Sequence, residues 1–246
     1  MRSAPMTADR ERLLEAYAPA DRVTPRIRMN FVMSLDGAVS LEGRSGGLGD
    51  ENDRLAMRVL RTLADVVVVG AGTVRTEGYG GVRVDDEDAA WRREQGLTDQ
   101  PRLAIVSSAL ELDPGHPVFA KAVTRPLVVT HADSPADRRA ALADVADVLV
   151  CGDRAVDLRA ARDAFAEAGL RQVLCEGGPH LFGSLLDADL VDELCLSLSP
   201  LLVAGDAGRI VQGAAERAQP MRLRHAIPAG DLLLLRYARE TGGAEA

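Results

Sequence analysis

Aromatic residues are scarce in this 246-residue chain: four Phe, three Tyr and one Trp, 3% of the total. A core without them must be built from Val, Leu, Ile and Ala, which suits helices packed on a buried sheet. Cysteine is also rare. Cys151, Cys175 and Cys195 are widely spaced, and each lies in or beside an apolar run. That excludes a disulfide framework and a CxxC zinc pattern, and it fits small buried hydrophobes. No basic run interrupts a net charge of −8, so no nucleic-acid face is expected. The longest apolar runs are too short to span a membrane. Residues 1–25 mix arginines with acids and lack the apolar core of a signal peptide; with the unpaired cysteines, a cytoplasmic protein is expected. The P-loop, HExxH, GxSxG and HxE…PCxxC patterns are missing. The four histidines, His116, His131, His180 and His225, are scattered, so no metal site is expected.

What the chain does have is a repeated alternation of short β-branched runs with Ala- and Arg-rich helical stretches. Strands are expected over residues 27–34, 66–69, 102–107, 126–130, 147–151 and 172–176. The run Val66-Val67-Val68-Val69 is apolar at every position, as in a central strand covered on both faces. Helices are expected over residues 8–17, 50–63, 134–143, 157–168 and from about Gly178 to Leu186. Asp50 caps the second of these, with Asp53 as a further acid in its first turn. Residues 191–199 and 231–238 read as strands without long helices between them, so they are expected to add antiparallel edges. The polar stretch 78–100 reads as a long surface loop.

Three turns could carry chemistry. In Val173-Leu174-Cys175-Glu176-Gly177-Gly178-Pro179-His180-Leu181-Phe182, a buried strand ends in a carboxylate, two glycines and a proline that opens a helix. Glycine lets the backbone approach a ligand closely. Helix-start amides favour an anion, and proline there loses nothing. A second turn, Gly70-Ala71-Gly72-Thr73-Val74-Arg75-Thr76-Glu77, also follows a buried strand but lacks the third glycine of a dinucleotide fingerprint. The third, Met33-Ser34-Leu35-Asp36-Gly37, is a strong turn signal; Asp36 there could equally be a turn residue bonding its own backbone.

The order and spacing of Ser34-Leu35-Asp36-Gly37, Ser45, Arg61, Gly72-Thr73-Val74, Glu176-Gly177-Gly178, Val191-Asp192-Glu193-Leu194 and Pro200 resemble the pyrimidine reductases of riboflavin biosynthesis. The resemblance is to the reductase domain without its deaminase partner and covers about residues 27–237. It implies a dihydrofolate reductase-like α/β fold, mostly parallel with helices on both faces and antiparallel C-terminal strands. It divides the chain into an N-terminal extension, 1–24, and one reductase domain, 25–246. The implied reaction is NADPH-dependent reduction of a ribosylamino-pyrimidine 5′-phosphate, of the 5-amino-6-(5-phosphoribosylamino)uracil reductase type, by a homodimer. Reduction of a related pterin such as dihydrofolate, or a non-catalytic nucleotide-binding module, are the alternatives. Cofactor contacts are implied for Met33, Gly72, Thr73, Glu77, Ser108, Gly177, Gly178, Pro179, His180, Leu181 and Phe182. Substrate contacts are implied for Ser45, Arg61 and Glu176, with Arg61 suited to a phosphate or carboxylate. Glu176 or Asp36 is the expected catalytic group. The chain departs from the family at Gly47, where a tryptophan is common, and near Val84, where an arginine aligns poorly.

Overall fold

The computed structural model describes residues 9–240. Residues 1–8 and 241–246 lie outside the described residues, and with them the first residue of the expected helix 8–17 and the outer limits of the expected extension and domain. In chain order the elements are α1 (Arg10–Tyr17), β1 (Arg26–Ser34), α2 (Glu51–Leu63), β2 (Val66–Gly70), α3 (Ala71–Thr76), α4 (Asp86–Glu94), β3 (Arg102–Val106), α5 (Pro117–Ala120), β4 (Leu127–Thr130), α6 (Ala136–Ala143), β5 (Asp147–Val150), α7 (Leu158–Glu167), β6 (Gln172–Cys175), α8 (Pro179–Asp187), β7 (Glu193–Ser199), β8 (Arg222–Ala229) and β9 (Leu232–Ala238).

The strands form one sheet in the order β5-β4-β3-β2-β6-β1-β7-β9-β8. All neighbours from β5 to β7 are parallel, and β9 and β8 continue antiparallel. β7 is therefore part of the parallel core, because α8 provides the crossover that parallel strands need. The uniform apolar run of β2 has the expected cause: Val67 and Val69 pack into one core layer with α1 and α2, while Val66 and Val68 pack into the other with α7 and α8. All three cysteines are buried and free, and burial pushes the Cys175 and Cys195 thiols up to about 12.

α2 begins as its sequence dictates: the Asp50 carboxylate accepts the Asn52 and Asp53 amides, filling two helix-start donors. The stretch 78–100 is different from the expected surface loop. It contains α4, capped by Asp85, which accepts the Asp88 amide. The fully buried Arg92 of α4 donates to the carbonyls of Thr62, Ala64 and Thr98. Four of its nine residues are acidic and two are arginines, which reads as a solvated face. The arginine is instead satisfied by the free carbonyls at the end of α2. β8 also escaped the pattern of the sequence. It is an edge strand with exposed positions, a register shift between Leu223 and His225, and Pro228 inside it, all features tolerated at an edge.

Candidate active site

The two glycine turns meet. β2 and β6 are parallel neighbours, so their carboxyl ends lie side by side. The Gly70 amide donates to Gly177 O at 2.8 Å, and the Glu176 amide to Val68 O at 3.0 Å. Gly177 has φ +117°, joined by a cis peptide bond to Gly178, and such a φ suits only glycine. A Cβ on Gly178 would lie 2.8 Å from Thr73 Oγ1, so Thr73 of α3 closes directly over the turn. α8 starts there, with Gly178 as its cap and Pro179 in its first turn. Phe182 already bonds back to Gly178 O; the amides of His180 and Leu181 ahead of it are helix-start donors that favour an anion.

Beside this cradle stands a buried ionic cluster. The last turn of α2 carries Arg61, whose guanidinium forks onto the Glu176 carboxylate with two contacts of 2.6 Å. The Tyr79 hydroxyl donates to the same carboxylate at 2.5 Å and accepts from Arg61 at 3.0 Å. The two charged side chains are only 15% and 6% exposed. Burial alone would lower the pKa of Arg61, but the Glu176 charge and hydrogen bonds outweigh it and raise it. Burial, with Glu176 adding to it, raises that of Tyr79 well above its ordinary value. Tyr79 therefore acts as a neutral donor, and the carboxylate is held in one geometry by three hydrogen bonds.

The cradle and the cluster border a cleft of about 540 Å³. Its walls come from Asn30, Phe31 and Val32 of β1, Asp53, Met57 and Arg61 of α2, and Thr73, Glu77, Tyr79 and Ser45, closed by Gly208 and Gln212. The last two sit in the segment between β7 and β8. That segment seats on α8 because position 183 is glycine: a Cβ there would collide with Gln212 O. A cleft at the carboxyl ends of parallel strands, mostly apolar with a few convergent polar groups, is the usual form of a small-molecule site.

The model of the RibD C-terminal domain matches residues 25–233. The chain belongs to that family. A 2,5-diamino-6-ribosylamino-4(3H)-pyrimidinone 5′-phosphate reductase of Methanothermobacter thermautotrophicus is 29% identical over 219 residues, covering 87% of this chain and 97% of that protein. The crystal structure of a pyrimidine reductase-like protein of Corynebacterium diphtheriae superposes with a TM-score of 0.82 at 27% identity, covering 94% of this chain and 98% of that one. A riboflavin biosynthesis reductase of Saccharomyces cerevisiae shares the fold, with a TM-score of 0.65 at 18% identity over 94% and 99% of the two chains. The architecture is the dihydrofolate reductase-like one, with a mostly parallel sheet and antiparallel C-terminal strands.

The residues that the sequence singles out fall into two groups. Ser45, Arg61, Thr73, Glu77, Glu176, Gly177, Gly178 and Pro179 all line the cleft; Glu77 also accepts the Ser45 amide at 3.1 Å. Met33, Asp36, Gly72, Ser108, His180, Leu181 and Phe182 do not line it. Phe182 and Leu181 are buried in the core, Phe182 against Phe31 with ring centroids 5.2 Å apart, so only main-chain groups of that turn are available to a ligand. His180 and Ser108 are exposed. Asp36 is a turn anchor: its carboxylate accepts the Ser34 hydroxyl and the amides of Val203 and Ala204. Those bonds, the Ser34 hydroxyl first, pull its pKa down to about 2. Arg61 was expected to hold a substrate anion, and its fork is already occupied by Glu176. Tyr79, Asp53, Asn30 and Gln212 were missed. Tyr79 had one available signal, an aromatic among glycines in a chain with few aromatics.

Proposed function

We propose that this chain is an NADPH-dependent reductase of a ribosylamino-pyrimidine 5′-phosphate, the reductive step of riboflavin biosynthesis, working as a cytoplasmic homodimer. The observation that carries the reading is the fusion of two glycine turns into one cradle next to a cleft holding a fixed carboxylate, in a chain of this family. The relative from Methanothermobacter, aligned over 97% of its length, is named as a reductase of a ribosylamino-pyrimidinone 5′-phosphate.

The cradle fits a dinucleotide. A side chain at Gly178 would fill the space against Thr73, and helix-start amides follow at His180 and Leu181. Gly177, Gly178, Thr73 and the first turn of α8 would hold the pyrophosphate, and Arg75 or Ser108 would serve a 2′-phosphate. When bound, NADPH supplies the hydride that reduces the first carbon of the ring-opened sugar imine. This chain's residues then orient the substrate and balance charge. Glu176 faces the cationic imine, and Arg61 and Tyr79 keep its carboxylate aimed. Asp36, held ionised outside the cleft, has no proton to give at neutral pH, and its role is structural. A module that only held nucleotide would have no use for the buried Arg61–Glu176–Tyr79 cluster beside the cleft. The unpaired edge of β8 and, elsewhere, the exposed Leu35, Leu201 and Leu202 are surfaces that would suit a second copy, and light scattering tests the dimer by a doubled mass.

Complementation tests the pathway. Rescue of a strain lacking its riboflavin-pathway reductase supports the reading. Rescue only of a strain lacking dihydrofolate reductase would overturn it in favour of a pterin substrate.

A further inference from the structure

The segment that carries Tyr79 also carries a buried cation outside the cleft. Arg92 of α4 is fully buried and, among the described residues, forms no salt bridge. Its guanidinium donates to the carbonyls of Thr62 at 2.7 Å, Ala64 at 2.6 Å and Thr98 at 2.7 Å, with a longer reach of 3.4 Å to the carbonyl of Arg61 itself. Arg61 and Thr62 belong to the last turn of α2, and Ala64 is its C-terminal cap. The segment is tied to itself and to its surroundings. The Gln100 side chain accepts from the Val84 amide and donates to the Val84 carbonyl. Arg10 of α1 donates to Asp88 of α4 at 2.9 Å. One stretch of chain therefore meets Arg61 twice, Tyr79 at the guanidinium and Arg92 at the main chain.

The last four carbonyls of a helix have no partner within it, and a glycine turn is the common closure. Here a buried cation closes the helix instead. It brings up to five donors and a charge that suits the negative end of the helix. Desolvation opposes that charge and lowers its pKa to about 10, and Asp65, Asp99 and Asp88 offset the effect only in part. A closure by a buried charge costs more than a glycine turn. What it adds is a rigid tie between the end of α2 and α4 at several points.

We propose that Arg92 is a positioning residue for the reduction: by fixing the last turn of α2, it sets where the Arg61 fork meets the Glu176 carboxylate. Its kinetic consequence rests on the reductase reading above. Arg61 reaches Glu176 through a long stem of rotatable bonds, so the place of the fork follows the place of its main chain. If the last turn of α2 relaxes, the two contacts of 2.6 Å cannot both persist. A displacement of about 1 Å set off far from the chemistry can cost about a hundredfold in rate. Binding of the ligands is little affected, because Arg92 does not line the cleft.

The test compares three full chains, the wild type, Arg92→Leu and Leu142→Ala. The last is a large-to-small core change in α6, an element that gives no residue to the cleft. All are checked for folding by circular dichroism and assayed well below their Tm. Arg92→Leu is expected to lose kcat about tenfold or more, with KM for NADPH and for the ribosylamino-pyrimidine phosphate within about threefold of the wild type. Leu142→Ala keeps the wild-type kcat. The Nε–H resonance of Arg61, assigned by its loss in Arg61→Lys, reports the same event without substrate: it shifts or broadens in Arg92→Leu and holds in Leu142→Ala. Wild-type kcat in Arg92→Leu, a loss confined to KM, an equal kcat loss in Leu142→Ala, or an unmoved Arg61 resonance overturns the proposal. Should Arg92→Leu not fold, Arg92→Lys takes its place. A compact ammonium cannot span the carbonyls that a fork meets, so kcat should fall about threefold or more and the resonance should move; either one staying at its wild-type value overturns the proposal. A wild type that does not oxidise NADPH sinks the reductase reading alone, and the Arg61 resonance then decides this inference.

Discussion

Replacing Arg61 with Ala removes the cation from a carboxylate that is only 6% exposed and that keeps just the Tyr79 hydroxyl. Breaking a buried pair by deleting one partner costs about 3–5 kcal/mol. The 15% exposure of Arg61 lets water reach the gap, so the lower end applies, about 3 kcal/mol. For a chain of this length that is a fall in Tm of roughly 6–12 °C, at about 2–4 °C per kcal/mol. The kinetic signature separates two roles. A phosphate-binding arginine would raise KM and leave kcat alone, because it removes uniform binding. An arginine that aims Glu176 lowers kcat, because the misplaced carboxylate no longer meets the charge formed at the imine. We expect kcat to fall by about two orders of magnitude, the scale of a lost electrostatic contact in a reaction centre. Arg61→Lys keeps the charge without the fork and recovers part of Tm but little of kcat. Scanning calorimetry and steady-state kinetics on the three proteins make the comparison. An Arg61→Ala enzyme with unchanged Tm and kcat and a raised KM would refute the reasoning.

Gly178→Ala places a Cβ 2.8 Å from Thr73 Oγ1, so NADPH affinity by fluorescence titration should fall about tenfold or more; adding Thr73→Ala should restore part of it. Arg92→Leu leaves the carbonyls of Thr62, Ala64 and Thr98 without their donor and is expected to cost about 3 kcal/mol in urea unfolding, since each unpaired buried group costs about 1–3. His225 is half-buried near Arg236 and Arg28, and desolvation first, then those charges, pushes its pKa down to about 4. The unfolded chain takes up this proton near pH 6.5 and the folded one only near pH 4, so stability is lost as pH falls through that window. After allowance for its partial exposure the loss is about 1–2 kcal/mol. In His225→Gln that part of the acid slope in Tm should be gone, and an unchanged slope would contradict the assignment.

The parallel core was legible because burial on both faces leaves a mark on every residue: Val66 to Val69 carry no polar position, and the structure fills both faces. The cap of α2 was legible because Asp50 acts on its own next residues. What escaped depends on distant partners. α4 looked solvated because nothing local shows that Arg92 would meet carbonyls thirty residues earlier. β8 has an open face and a bulge, so it lacks an apolar period. In the site, the glycine turns were visible one at a time, but their contact arises from β2 lying beside β6, a fact of topology. Arg61, Glu176 and Tyr79 are 18 to 115 residues apart in the chain. Arg61 and Glu176 each looked free to take a ligand, and only their meeting with Tyr79 shows that two of the three serve the third.

The most direct test of the account mixes the purified chain with NADPH and a ribosylamino-pyrimidine 5′-phosphate, in both its 2-amino and uracil forms, and follows cofactor and product together. The account predicts that one molecule of ribitylamino product forms for each NADPH consumed, with the rate collapsing in Glu176→Gln. No consumption above the enzyme-free rate with either form, by a folded protein that binds NADPH, would contradict it.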